Sequence, residues 1–297
     1  MDSRQLSYFL AVVDCAGFGR AAEQLHVAQP SLSQAIRTLE RQLATPLFHR
    51  NSRGIELTEA GRTLVSPARQ VQRDLQAAEE VIDAVKGLRS GRLDVASMPS
   101  PAIAPLSEMI SAFAEVAPNV TVNVLAQATA EQVLDIVRSG VCEIGVLGTP
   151  HPLYDSTVVT RRLRSQRFVL VTAESDDLPP GEIIQRERLD GMRLIVGPRG
   201  TGMRLLIEEM SSSGIDLHIA VETAHREAIL TLVANGIGNA VLTDAWAPTA
   251  RQLGLRVFAL EPPAHLGLWL VTRAAPVTAA AEMFWSMACH DAEAPHR

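Results

Sequence analysis

The spacing of apolar residues changes once along this chain, near residue 91, and that change limits the fold more than any other feature. Up to Val85 apolar residues recur three and four apart; from Arg92 short apolar runs alternate with amphipathic stretches. A helix repeats its buried face every 3.6 residues and a strand every two, so two architectures follow one another. Gly87, Ser90 and Gly91 mark the join. With 297 residues there is room for a small helical module and a larger α/β domain. No apolar run reaches eighteen residues, so no spanning helix is expected. The opening stretch, MDSRQLSYFLAVVDCAGFGRAAEQL, is interrupted by Asp14 and continues as an amphipathic repeat rather than a cleavage site. A cytoplasmic protein is the expectation.

Within the helical part, Leu6, Phe9, Leu10 and Val13 give residues 4–15 one buried face. A short second helix from about Gly19 to Leu25 turns Ala21, Ala22 and Leu25 inward, and two adjacent alanines suit close approach of another helix. His26 and Val27 make a tight turn. A third helix opens at Gln29-Pro30-Ser31, where proline's missing N–H would be unpaired in any case. Its buried stripe is Leu32, Ile36, Leu39 and Leu43; its other face carries Gln29, Ser31, Ser33, Gln34, Arg37 and Thr38. Short or forked hydrogen-bonding side chains at the start of such a helix are what reading base edges in a major groove requires. His49 to Gly54 is a polar basic turn, and Ile55 and Leu57 alternate with Glu56 as a short strand. The hairpin would place Arg50 and Arg53 on phosphates or in the minor groove. Taken one helix at a time, a packing module with a solvated polar face explains the pattern equally well.

The net charge of −6 looks unsuited to DNA until it is divided. Residues 1–90 hold 11 Lys+Arg against 10 Asp+Glu, and residues 91–297 hold 16 against 23. Phosphate affinity follows local clustering, and between Gln29 and Arg53 the charges are Arg37, Arg41, Arg50 and Arg53 against Glu40 alone.

The joint order of these features is more specific than any one of them. The stretch FGRAAEQLHVAQPSLSQAIRTLERQLATPLFHRNSRGIELTEAG, Phe18 to Gly61, resembles the winged-helix signature of LysR-type transcriptional regulators nearly end to end. Gly19 departs from it, standing where the family usually has Ser or Thr capping the second helix. By position, the resemblance implies base-reading roles for Gln29, Pro30, Ser31, Ser33 and Gln34, with Arg37, Arg50 and Arg53 toward the backbone or wing. It also implies promoter DNA and RNA polymerase as partners, and an assembly of dimers, commonly tetramers.

Thr58 is a candidate N-cap for the next helix, with Glu59 in its first turn. Leu64, Ala68, Val71, Leu75, Ala78, Ile82 and Val85 then form an a/d seam over three heptads, expected to make a homodimer rather than to lie on the chain's own domain. Pro67 should kink this helix or remove a backbone bond. The expected division is a winged helix-turn-helix over 1–58, a linker and dimerisation helix over 59–90, and an effector domain over 91–297.

In the last part, strands at Leu93–Ala96, Val120–Val124 and Ile144–Leu147 alternate with helices at Ile103–Ala117 and Glu131–Ser139, which predicts a parallel sheet. A second set follows: strand Phe168–Thr172, strand Leu194–Val196, helix Gly202–Ser212, strand Leu217–Val221, helix His225–Asn235 and strand Asn239–Thr243. VLDIVRSGVCEIGVL, Val133 to Leu147, aligns without gaps to ILTLVANGIGNAVLT, Ile229 to Thr243. Each is a helix, a terminal glycine (Gly140, Gly236) and an apolar strand. Two similar halves imply a cleft between them. Subdomain I is expected over about 91–160 and 265–297, the tail returning to it, and subdomain II over about 161–264. This pattern is similar to periplasmic solute-binding proteins and to the LysR-type effector domain, with GRLDVASMPS…LVANGIG its clearest words; Thr243-Asp244 departs from the Leu-Pro of many relatives. Ser97, Ser100, Gln127, Thr129, Thr201 and Gly202 fall at strand ends and helix starts, where free N–H groups hold anions, so an anionic small-molecule effector is expected; as turn or cap residues they would need no ligand.

Other chemistries find little support. No GxSxG, HExxH, paired-carboxylate or strand-borne GxGxxG motif is present, and Gly197–Gly202 lacks the Gly-Lys-Ser/Thr of a P-loop. Cys15, Cys142 and Cys289 have neither metal-ligand nor disulfide spacing, so neither metal nor cofactor is expected and all three read as inert thiols. The reading is a non-enzymatic, effector-modulated DNA-binding regulator, against the alternatives of a ligand-independent DNA-binding protein, a small-molecule-binding protein or an enzyme.

Overall fold

The computed structural model describes residues 1–51, 54–85, 91–173, 178, 180–274 and 277–291. The first three helices are α1 (Ser3–Asp14), α2 (Phe18–Gln24) and α3 (Gln29–Leu43). Asp2 caps α1, its carboxylate accepting from Gln5 N at 2.8 Å while Gln5 Oε1 accepts from Asp2 N at 3.0 Å. Helix α2 begins one residue before the expected position: its N-cap is Gly17, and Gly19 lies exposed inside the first turn with nothing within 4 Å of where a Cβ would stand. The family departure at Gly19 therefore falls where no capping side chain is used. His26 takes a left-handed conformation (φ 52°) in the turn to α3. Phe9, Phe18, Ala21, Leu32, Ile36, Leu39, Leu47 and Phe48 close the core of this module, with the Phe48 ring against those of Phe9 and Phe18.

Strands β1 (Phe48–Asn51) and β2 (Gly54–Leu57) pair antiparallel from Phe48↔Leu57 to Asn51↔Gly54. The sequence words around them have identifiable tasks. Glu40 Oε1 accepts from Leu47 N at 2.8 Å and so pins the end of α3 to the hairpin. Thr58 Oγ1 donates to Pro46 O at 2.8 Å and accepts from Gly61 N at 2.9 Å, capping α4 (Glu59–Val85) as expected. A Cβ at position 61 would stand 2.2 Å from Leu47 O, so only glycine lets α4 pass the hairpin. Helix α4 runs unbroken through Pro67.

Beyond residue 90 the chain forms two α/β halves. In the first, β3 (Gly91–Ser97) lies parallel between β4 (Val120–Ala126) and β5 (Ile144–Thr149). A helical turn α5 (Pro99–Pro101), an irregular turn over Ala102–Leu106 and α6 (Ser107–Val116) connect β3 to β4; α7 (Ala130–Arg138) connects β4 to β5. The expected helix 103–117 is thus broken at Ala104, whose backbone is extended. Strand β6 (Val158–Thr172) is ten residues longer at its start than the sequence suggests. It pairs with β12 (His265–Arg273) up to Arg167↔His265 and then, from Phe168, with β10 (Ala240–Thr243) and β11 (Arg256–Glu261). The chain therefore changes halves at 167/168, not about 161, because one continuous strand serves both sheets. The second half also holds β7 (Ile183–Gln185), β8 (Arg193–Val196), α8 (Gly202–Ser212), β9 (His218–Glu222), α9 (Arg226–Ala234) and α10 (Ala247–Gln252). The tail returns to the first half through β12 and α11 (Ala279–Asp291), where Phe284 meets Phe113 edge-on at 5.4 Å.

The internal echo is structural. At the end of α7, Gly140 has φ 72°, Gly140 N donates to Val137 O and Val141 N donates to Ile136 O. At the end of α9, Gly236 has φ 71°, Gly236 N donates to Val233 O and Ile237 N donates to Leu232 O. The same left-handed cap turns each helix into its strand.

Candidate nucleic-acid interface and effector cleft

Helix α3 is divided lengthwise. Leu32, Ile36 and Leu39 are buried, whereas Gln29, Pro30, Ser31, Gln34 and Arg37 are exposed and Ser33 is half-buried. Thr38 is occupied locally, donating to Gln34 O and accepting from Arg41 Nη2, each at 3.0 Å. Arg4 of α1, unmarked by any sequence signal, lines the same open groove as Ser31 and Gln34 and donates to Tyr8 Oη at 2.9 Å. Arg50 lies on β1 opposite Ile55; its side chain, and all of Arg53, fall outside the described residues. An exposed polar helix start beside basic side chains can hydrogen-bond base edges while the charges meet phosphate.

The α4 seam does not present all of its predicted positions. Ala68 is 1% exposed within the N-terminal core and Leu64 packs against that core. Both are therefore consumed by the chain's own module, because α4 lies across α1. Val71 (39%) and Leu75 (47%) are exposed; the side chains of Ala78, Ile82 and Val85 lie outside the described residues. The opposite edge of α4 touches the effector domain: Arg73 Nη1 donates to Gly140 O at 2.6 Å, and Arg73 and Arg273 both donate to Gln70 Oε1. Burial, and then the neighbouring Arg273, lower the Arg73 pKa to about 10.

Of the expected effector residues, Ser100, Thr129 and Gly202 lie against the opposite half or the space between the halves, and most of the polar groups of the set are already engaged. Ser97 is buried and its hydroxyl donates to Met98 O at 3.0 Å. Thr201, also buried, donates to Pro198 O at 2.8 Å instead of capping α8. Gln127 N donates to Ser97 O, and Thr129 caps α7 by accepting from Gln132 N. Thr129 faces the other half, its Cγ2 lying 3.4 Å from where a side chain at Gly200 would begin. Ser100 Oγ accepts from Trp246 Nε1 at 3.2 Å, a clasp from one half to the other. Gln166 Nε2 donates to Ala104 O at 2.6 Å, and Arg167 N donates to Asp244 at 3.2 Å. Between the halves remains a cavity of about 20 Å³, lined by Ser100 and Gly202 together with Met203, Arg226, Thr243 and Leu266. Nothing in the sequence marks Arg226 or Trp246 as facing this space, and the one signal at Thr243 is that Thr243-Asp244 breaks a family word.

Cys142 is fully buried, and burial holds its thiol up at about 12. Cys15 is half-buried and donates to Gln24 Oε1 at 2.9 Å; Cys289's side chain lies outside the described residues. Among the described residues no helix is long and apolar enough to cross a membrane.

Comparison with known families settles the class. The profile of the bacterial regulatory helix-turn-helix protein, lysR family, matches residues 3–62, and that of the LysR substrate binding domain matches residues 86–291. The chain belongs to the LysR-type family of transcriptional regulators. Among similar proteins, the HTH-type transcriptional regulator IlvR of Caulobacter vibrioides is 30% identical over 280 residues, covering 92% of each chain. The HTH-type transcriptional activator CmpR of Synechocystis is 26% identical over 240 residues, 80% of this chain and 78% of that one. A full-length OxyR variant from Pseudomonas aeruginosa superposes with a TM-score of 0.74 at 22% identity, covering 98% and 94%; CbnR, a LysR family regulator, gives 0.71 at 21%, covering 99% and 100%. At those identities the structural likeness establishes the fold. As a LysR-type protein the chain is a DNA-binding transcriptional regulator whose activity an effector-binding domain modulates.

Proposed function

We propose that this regulator reads its operator with Gln29, Pro30, Ser31, Ser33 and Gln34 of α3, while Arg37 and the wing arginines Arg50 and Arg53 hold the DNA backbone. The observation that carries this is the lengthwise division of α3: Leu32, Ile36 and Leu39 of its apolar stripe are buried, and its polar start is left facing out. Val71 and Leu75, exposed on α4, are the apolar residues that a second copy would cover. A two-fold dimer then reads two half-sites one helical turn apart, and pairs of dimers would give the tetramer. Membership of a DNA-binding regulator family supports a cytoplasmic location, where contact with RNA polymerase would convert occupancy into transcription.

The effector sits between the two halves, among Ser97, Ser100, Gln127, Thr129, Thr201 and Gly202. Ser100 and Thr129 both present side chains from the first half toward the second, at Trp246 and Gly200, whereas the hydroxyls of Ser97 and Thr201 serve to shape the walls. Effector binding moves one half against the other about the two crossings, Arg167–Phe168 and residues 261–265. That motion reaches α4 through the Arg73–Gly140 contact and resets the paired winged helices.

Substitution separates the two sites. Ser100→Leu and Thr129→Trp should abolish the effector response of a reporter while leaving mobility shifts on operator DNA unchanged. Induction that survives both changes would place the effector elsewhere.

A further inference from the structure

One charged side chain in the cleft has no acceptor suited to it. Arg226 opens α9 with its guanidinium against the backbone of Gly197: a Cβ there would meet Arg226 Nη2 at 2.7 Å. Its hydrogen-bond partner is Met203 Sδ at 3.0 Å, a weak acceptor for a five-donor cation. Among the described residues no carboxylate lies within ion-pair distance of it: Glu227 next to it turns to His225, and Asp244 accepts from Arg167 N. Burial alone pulls its pKa below the ordinary guanidinium value. A guanidinium does not shed its proton at working pH, so this cation stands partly desolvated and unneutralised.

A second orphan faces the same space. Thr243 is 3% exposed, its hydroxyl is shut off from solvent, and it has no hydrogen-bond partner. Buried polar groups are as a rule hydrogen-bonded, so an unmet hydroxyl beside an unmet cation is more than incidental packing. Both line the cavity of about 20 Å³ between the halves, with Gly202 and Met203 of the first turn of α8. Those first-turn N–H groups have no intrahelical acceptors, and the Thr201 hydroxyl is turned away to Pro198 O.

We propose that Arg226 and Thr243 form an oxoanion subsite within the effector cleft, so that the effector is a small molecule carrying a carboxylate or a phosphate. The inference rests on the cleft reading given above and supplies the ligand's charge and its anchor. Arg226 gives two parallel N–H donors to one oxoanion and Thr243 gives an O–H to the same group. The space seen here holds about one solvent molecule. A headgroup fits only as that space widens, and the rest of the effector requires the Trp246–Ser100 clasp to part.

The test uses the full-length protein and its thermal midpoint, read by tryptophan fluorescence. Acetate, pyruvate, inorganic phosphate and acetamide are compared at equal ionic strength set with sodium chloride. A ligand at several times its Kd should raise the midpoint by about 2–4 °C. The expected result is a rise with acetate and pyruvate or with phosphate, whichever carries the matching headgroup, and none with acetamide. The rise should vanish in Arg226→Met and shrink in Thr243→Val, a near-isosteric change that keeps the test alive if the arginine variant folds poorly. No oxoanion effect beyond chloride overturns the subsite, and so does an effect retained in both variants. Operator mobility shifts separate the two levels of the account. A neutral effector that depends on Thr129 would sink the oxoanion subsite and leave the cleft reading standing. An Arg226-dependent anion that never alters DNA binding would do the reverse.

Discussion

Gly140 and Gly236 allow the contact between linker helix and effector domain to be weighed within one molecule. Both sit at φ near +70° in equivalent helix caps, and both would become strained as alanine, by about 1–2 kcal/mol. Their surroundings differ. Nothing lies within 4 Å of a Cβ at 236, whereas a Cβ at 140 would stand 2.6 Å and 2.9 Å from the two Arg73 terminal nitrogens and 3.0 Å from Arg273 Nη1. Those are ends of flexible side chains and can retreat, but Arg73 would then give up its 2.6 Å bond to Gly140 O. A hydrogen bond from a charged donor contributes about 1.5–3 kcal/mol, so Gly140→Ala should exceed Gly236→Ala by about that much. All three tryptophans, Trp246, Trp269 and Trp285, belong to the effector domain, so urea unfolding followed by tryptophan emission reports that domain alone. In an Arg73→Ala background the excess should disappear, leaving the two penalties equal. Equal penalties in the native background, or an excess that persists without Arg73, would show that the contact contributes nothing and could not carry a signal to α4.

Three further outcomes follow from the packing and the titrating groups. Gly61→Ala would drive a methyl group into the backbone at Leu47 O, which cannot step aside; the winged helix should lose about 3 kcal/mol and its DNA binding, with the tryptophan transition little changed. Cys142, its thiol held near 12 by burial, should escape iodoacetamide at pH 8 in the folded protein and react once denatured, as peptide mapping would record; labelling at the rate of Cys15 would contradict the packing. Asp155 is held down at about 2, first by the Thr157 hydroxyl and amide and then by Arg138. Its contribution to stability is therefore present above about pH 4 and lost between about 4 and 2 as it protonates. Asp155→Asn should flatten that part of the acid limb in a pH series of urea midpoints, and an unchanged limb would refute the assignment.

Much of this was legible in the residues because local and tertiary demands agree. The 4-3-4 stripe of α3, the paired alanines of α2 and the helix–glycine–strand echo each state their own burial pattern, and each appears where expected. Strand β6 did not announce its first ten residues: Val158–Arg167 carries Arg161, Arg162, Arg164 and Arg167, and a partly exposed strand with that charge reads as loop until β12 lies beside it. Strand β11 and helix α10 were missed for similar reasons, being short and partly exposed. The cleft was legible in outline only. Ser97 and Thr201 lie where strand ends and helix starts converge, but local carbonyls take their hydroxyls, which no periodicity reveals. Arg226 reads as a solvated helix start because what covers it, Gly197 and Met203, comes from more than twenty residues away. The heptad seam shows the same limit in reverse: Ala68 obeys the spacing of a dimer interface and is spent on the chain's own core.

If the exposed start of α3 selects the DNA and the cleft controls that selection, both should be visible in DNA binding itself. The direct measurement is a mobility-shift titration of the full-length protein on the intergenic DNA upstream of its own gene. Gln34→Ala and Arg37→Ala would be run beside it, at two salt concentrations. The native chain should bind specifically and in a salt-sensitive manner. Gln34→Ala should lose discrimination between operator and random DNA, a loss of about 1–3 kcal/mol. Arg37→Ala should weaken binding to both sequences and flatten the salt dependence. Selective binding that survives Gln34→Ala unchanged, with Arg37→Ala equally silent, would mean that another face of the protein meets the DNA.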